Sequence, residues 1–229
     1  MPRRPRSSAA TGFYHVVNRS VRKEPLFTQP HEYTRFLSVL GEGIARYNVP
    51  LVAYCVMNNH WHLLVGPLGK PRLSRVIQWV TSTHAMVWHR SRGTVGQGHV
   101  YQGRFTSTPL DDIGSLVPMS RYVERNAKSA GLVVRAEDWP WSSLFDRVRG
   151  HQRVPMSGGA FLASGAWIDY VNATITRREL IRESHMRQQR QRALPGRRSS
   201  VPKTAKTVEK GSDPAPDPGA DPDPDASGG

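Results

Sequence analysis

The stretch from Pro50 to Val65, PLVAYCVMNNHWHLLV, constrains the fold most tightly. Two apolar runs, Pro50–Met57 and His60–Val65, flank the turn-prone pair Asn58-Asn59, and together they read as two strands of a hairpin. A strand over Phe13–Arg19 precedes them. Next come Tyr33, Phe36, Leu37, Leu40, Ile44 and Tyr47, whose recurrence predicts an amphipathic helix over His31–Tyr47. After the hairpin, Leu73, Val76, Ile77, Val80 and Val87 mark a second helix, and a further strand is expected around Gln102–Thr106. Leu116, Met119, Tyr122 and Val123 mark a third helix, with Ser115 as N-cap, Pro118 in the first turn and Gly131 at the C-cap. This order is the split βαβ, ferredoxin-like pattern of the α+β class: one antiparallel sheet with helices on one face, plus an added helix carrying Tyr122. The opposite face of the sheet is expected to be open.

Side chains alternate along a strand, so Trp61, Leu63 and Val65 face the helices while His60, His62 and Leu64 face the other way. The two histidines are then about 6.6 Å apart along the strand. Imidazoles at that spacing can share a metal ion, but a lone H-x-H is more often a pair of surface histidines. His15, His84, His89 and His99 are all on hand as a third ligand, and spacing does not choose among them. On the third helix, Tyr122 and Asn126 are one turn apart and share a face. A tyrosine hydroxyl, with a pKa of about 10, is a poor nucleophile until a divalent cation polarises the phosphate it attacks. The Asn126 amide offers a hard oxygen suited to Mg2+ or Mn2+. On spacing alone, a core tyrosine and a polar helix-end residue is the better reading of that pair.

Charge narrows the partner. Thirty-two Lys and Arg against eighteen Asp and Glu give a net charge of +14, and the pI is near 10.7. An excess of this size favours a polyanion, most often nucleic acid, over a merely solubilising surface. Thr176–Arg198 holds eight arginines and reads as a basic helix or arm. From Val201 onward the chain is rich in Pro, Asp and Gly, carries three lysines against six acidic residues, and is expected to be disordered. The expected division is therefore a folded domain over 1–150, a basic, partly helical extension over 151–200 and a tail over 201–229. No segment resembles a membrane span or an export signal, and the single cysteine, Cys55, excludes an internal disulfide, so a cytoplasmic protein is expected.

Seven segments, FYHVVNRSVRKEPLF, EYTRFL, AYCVMNNHWHLLV, LSRVIQWVTSTHAMVWHRSRG, GHVYQGRF, RYVERNAKSAGLV and DWPWSS, follow one another in an order that resembles the single-tyrosine transposases of the HUH endonuclease class. The likeness is nearest to the REP-associated tyrosine transposases and covers Phe13 to Ser143. It implies that His60 and His62 bind a divalent metal, Mg2+ or Mn2+, that Asn126 completes the site, and that Tyr122 is the nucleophile. It further implies cleavage of single-stranded DNA beside a hairpin, through a 5′-phosphotyrosine and a free 3′-OH, by a protein taken here as a monomer, although related enzymes form dimers. Three departures from the family pattern stand out: Ala127 where proline is frequent, NRSVRK without the usual glycine, and bulky Trp61 between the histidines. Arg19, Arg22, Lys23, Arg104, Arg121 and Arg125 are candidate DNA contacts. Tyr14, Trp79, Trp88 and Tyr101 read as core, and Trp139 and Trp141 as anchors for the chain's return. The competing function is a catalytically inactive DNA- or RNA-binding regulator of the same fold. A hydrolase working through covalent histidine lacks the longer histidine run it needs.

Overall fold

A computed structural model describes residues 11–158 and 160–176; the expected arm beyond Thr176 and the tail lie outside this range. By internal contacts the chain divides after Pro195, and every described residue falls in the first unit. The elements are β1 (Tyr14–Arg19), α1 (Pro30–Arg46), β2 (Leu51–Val56), β3 (His60–Val65), α2 (Lys70–Arg92), β4 (Thr106–Pro109), α3 (Leu116–Glu124), α4 (Asn126–Ser129), α5 (Ser143–Arg149) and α6 (Gly165–Asn172). The sheet order is β2-β3-β1-β4, with every neighbouring pair antiparallel. This is the ferredoxin-like arrangement that the element order predicts.

Local chemistry starts and stops the long helices. Pro30 occupies the first turn of α1, and Gln29 and Glu32 form a reciprocal capping box there. α2 ends on Gly93 in the left-handed conformation, φ 64°. The apolar faces of both helices meet one face of the sheet, where Val16, Trp61, Leu63 and Val65 join Phe36, Leu40, Val76 and Ile77 in the main core. Burying an aliphatic side chain of this size contributes roughly 1.5–3 kcal/mol. The helices cross closely at Gly43, where a Cβ would stand 2.6 Å from a Val80 methyl.

Three expectations are corrected. The fourth strand forms at Thr106–Pro109, later than Gln102–Thr106: the chain bends over residues 102–104, with Gly103 at φ 153°, and Tyr101 pairs with Ser20 only as a lone bridge. The third helix is interrupted at Arg125, so Tyr122 and Asn126 lie on α3 and α4. Ser115 makes no side-chain cap; Asp112 instead accepts from the Ser115 N–H. Gly131 does close α4, at φ 71°, with the Leu132 N–H bonded to Ala127 O and the Gly131 N–H to Lys128 O.

The second face of the sheet is not open. α3 lies across it, and Met119, Tyr122, Val123 and Ala127 form a second core with Ala53, Cys55 and Leu64. Beyond Asp138 the chain runs along the outer edge of β2, with the Val56 N–H bonded to Trp141 O and the Trp139 indole donating to Val56 O. Packing then continues past residue 150. Val154 is buried in the main core, and α6 packs against α3 and the segment after α4 through Trp167 and Val171.

Candidate active site

The ladder fixes which side chains share the covered face. His62 is opposite Val17 and Cys55, Leu64 is opposite His15 and Ala53, and His60 is opposite Arg19. His15, His60 and His62 therefore stand together on the face that α3 crosses. His62 and His15 are 0% and 1% exposed and Tyr122 is 7% exposed, whereas His60, at the end of its strand, is half-buried. Neighbouring Cys55 is a packing group: complete burial pushes its thiol up to about 12.

The rings are close. His60 and His62 have centroids 4.9 Å apart at a steep angle. Tyr122 presents an edge-on contact to His62 at 5.8 Å and to His15 at 5.5 Å. His15 and His62 are nearly coplanar, with Nε2 of the first 3.0 Å from Nδ1 of the second. His60 Nδ1 is 2.7 Å from Asn59 Oδ1, and the Asn59 amide donates to Lys23 O at 2.9 Å. Asn126 turns its amide nitrogen back onto its own helix, donating to Tyr122 O at 2.7 Å and to Val123 O at 3.3 Å. Its oxygen is thereby the end directed away from those carbonyls. Among the described residues, no three His, Cys, Asp or Glu side chains converge as a complete metal site.

The tyrosine helix is held from behind. Glu124, 0% exposed, is ion-paired with Arg147 and accepts from Ser143 Oγ at 2.6 Å and the Trp167 indole at 2.7 Å. Burial raises the Glu124 carboxyl pKa, opposed by Arg147 and the two neutral donors. Arg147 also donates to Val52 O, tying α5 to β2. Three cations of α3 and its continuation cap the C-terminal end of α6: Arg121 donates to Ala173 O at 2.7 Å, Arg125 to Val171 O at 2.6 Å and Lys128 to Asn172 O at 3.1 Å. They meet the orphan carbonyls and negative dipole end of that helix. Arg121 additionally lies 4.4 Å over the Tyr170 ring.

The candidate DNA contacts therefore separate. Arg121, 4% exposed, and half-buried Arg125 serve α6. Arg22 and Lys23 are exposed on a turn whose backbone is left-handed at both residues, φ 54° and 64°. Arg19 sits opposite His60 at the rim of the histidine face. Arg104 is exposed and lines a cavity of about 740 Å³ between α2 and the 98–105 segment. Sequence reasoning missed the supporting roles of His15 and Asn59 and all of the Glu124 cluster.

A sequence profile for the family described as "Transposase IS200 like" matches residues 9–126. A search among curated proteins gave no match. Among solved structures, the chain is similar to a REP-associated tyrosine transposase bound to a REP hairpin, at 18% identity and a TM-score of 0.51, over 69% of this chain and 93% of that one. A crystal structure described as a transposase from Deinococcus radiodurans R1 matches at 16% identity and a TM-score of 0.36, over 54% of this chain and 96% of that one. Among the described residues, no helix is long and apolar enough to cross a membrane.

Proposed function

The chain belongs to the IS200-like transposase family, and from that premise we propose that it is a metal-dependent endonuclease and strand transferase acting on single-stranded, hairpin-bearing DNA. One observation carries the reading: the two histidines of the H-x-H pair and Tyr122, remote in sequence, meet on one face of the sheet with ring centroids 4.9 and 5.8 Å apart. The solved relative bound to a REP hairpin supports DNA of the same kind as the partner here.

The donor set fits a hard divalent cation, Mg2+ or Mn2+. His60 and His62 would hold it through their Nε2 atoms, since each Nδ1 is engaged within the protein. The Asn126 amide oxygen would complete the protein's share. When bound, the ion supplies Lewis-acid polarisation of the scissile phosphate.

Tyr122 is the nucleophile. Its oxygen forms a bond to phosphorus as the phenol loses its proton; the bond to the 3′ oxygen breaks, and that oxygen takes up a proton to leave a 3′-OH. The reverse attack by a 3′-OH restores the DNA and frees the tyrosine, so no external energy source is required. The apolar neighbours Leu64, Met119 and Val123 limit water around the ester. Arg19, Arg22, Lys23 and Arg104 meet the phosphates of the strand, whereas Arg121 and Arg125 hold the nucleophile's helix. That helix is anchored by α5 and α6 of its own chain, which supports a monomer with a site built in cis.

The test incubates the protein with Mn2+ and 5′- or 3′-labelled hairpin DNA bearing single-stranded flanks, and separates products under denaturing conditions. A covalent adduct that retains the label 3′ of the cut, and is absent in Tyr122→Phe, is the expected result. Metal-independent binding with no cleavage of any such DNA would instead identify an inactive binding protein.

A further inference from the structure

The hydrogen bonds around the histidines bear on which ring nitrogen each one presents. The Asn59 amide nitrogen donates to Lys23 O at 2.9 Å, which fixes the orientation of the carboxamide and turns its oxygen to His60. An amide oxygen only accepts, so the contact at 2.7 Å requires a proton on His60 Nδ1. In the neutral ring the lone pair is then on Nε2. The Lys23 carbonyl is itself held in place: Lys23 and Arg22 adopt left-handed backbone, the Ser20 N–H donates to Asn59 O, and the Leu26 and Phe27 N–H groups donate to Asn58 O. The hairpin turn and the loop after β1 thus form one unit behind His60.

His62 has a counterpart in His15. The two rings lie nearly in one plane, 8° apart, with His15 Nε2 against His62 Nδ1 at 3.0 Å. A cation on His62 Nε2 requires the His62 proton on Nδ1, with His15 Nε2 as its acceptor, the same tautomer as His60. In that arrangement His15 Nε2 is directed at His62 Nδ1 rather than at the cation.

We infer that Asn59 and His15 are positioning residues that set the tautomer and ring orientation of His60 and His62, so that both imidazoles present Nε2 to a shared cation. The inference rests on the metal reading given above. Outer partners of this kind typically alter metal affinity by about 10- to 100-fold when removed.

The test has two arms. In the metal-free protein, 15N NMR of the histidine side chains reads the tautomers directly. The expected wild-type spectrum has His60 and His62 protonated on Nδ1, with Asn59→Leu moving His60, and His15→Phe moving His62, to the Nε2–H form. In the second arm, Mn2+ affinity is measured by electron paramagnetic resonance on the full chain. Asn59→Leu and His15→Phe are each expected to weaken it by about 10-fold or more. Asn59→Asp, which keeps an oxygen acceptor for His60 Nδ1 but loses the donor to Lys23 O, is expected to recover most of the loss in Mn2+ affinity.

An Asn59→Leu protein with His60 still protonated on Nδ1 and Mn2+ affinity within about twofold of wild type would overturn the inference. Failure of the underlying reading has a different signature: wild type would bind no Mn2+, or His60→Ala with His62→Ala would leave its affinity intact. In either case the NMR arm still decides whether Asn59 and His15 set the tautomers.

Discussion

Each face of the sheet buries histidine against tyrosine, and the two arrangements differ in what they leave to be done. On the helix face, the Trp61 indole donates to Tyr101 Oη at 3.3 Å, and that hydroxyl is 2.8 Å from His84 Nδ1. Phe27 and Phe36 enclose the ring, and burial lowers His84 to about 3, with Arg92 adding to the shift. This chain links β3, α2 and the 98–105 segment, and it is satisfied by the fold. On the other face, His60 and His62 are backed by Asn59 and His15, and Tyr122 faces them from a helix with its own buried anchor. A histidine beside a tyrosine is therefore no sign of chemistry by itself. What distinguishes the second face is that Asn59 and His15 each meet the Nδ1 atom of a histidine, while the rings of His60, His62 and Tyr122 converge.

The sharpest way to break this contrast is to exchange the damage between faces. His62→Ala is expected to lower both Mn2+ affinity and single-turnover cleavage by at least about 100-fold. His84→Leu is expected to leave cleavage within about threefold at 25 °C while costing about 1–3 kcal/mol in urea unfolding, because the Tyr101 hydroxyl loses its buried partner. Equal losses of cleavage in the two variants would erase the distinction.

Arg147→Met tests the anchor behind the tyrosine. It strands the Glu124 carboxylate, and removing one partner of a buried pair typically costs about 3–5 kcal/mol. Adduct formation should fall further than Mn2+ affinity at temperatures where the variant remains folded, since Tyr122 and Asn126 move with the helix whereas His60 and His62 stay on β3. A parallel loss of metal affinity would show that the two halves of the site are one mechanical unit.

A smaller effect is expected in the pH dependence of stability. His84 has a folded pKa of about 3, below its usual 6.5, so its contribution is fully present above about pH 6.5 and is lost as pH falls toward 3. Between pH 6.5 and 5.5 this amounts to about 1 kcal/mol. The difference between wild type and His84→Leu in urea unfolding at the two pH values should shrink by that amount on acidification. The smallest effect is that of Arg104→Gln, which should reduce the salt slope of DNA binding by about one phosphate contact and leave Mn2+ affinity unchanged.

Much of this was legible in local pattern. Strand alternation assigned Trp61, Leu63 and Val65 to one face and the histidines to the other, and helical spacing found α1 and α2, because both periodicities are carried by neighbouring residues. Pairing register is not local. His15 shares the face of His62 only once β1 is aligned with β3, so a lone histidine in the first strand gave no sign of its role. Arg121 and Arg125 display their charge in the sequence, but the carbonyls they cap are 52 and 46 residues away. Glu124 likewise meets partners on α5 and α6 that no motif announces. The expected fourth strand starts too early because Val100, Tyr101 and Phe105 supply the apolar signal, whereas the ladder is made by Thr-Ser-Thr-Pro beyond the bend at Gly103.

Covalent chemistry at Tyr122 is read most directly from the residue that carries the DNA. Protease digestion of the trapped adduct, followed by mass spectrometry, identifies the modified side chain. The predicted result is a nucleotide phosphate on Tyr122 alone, formed only when Mn2+ or Mg2+ is present. A phosphate on any other residue, or the same yield of adduct in a chelator, would contradict it.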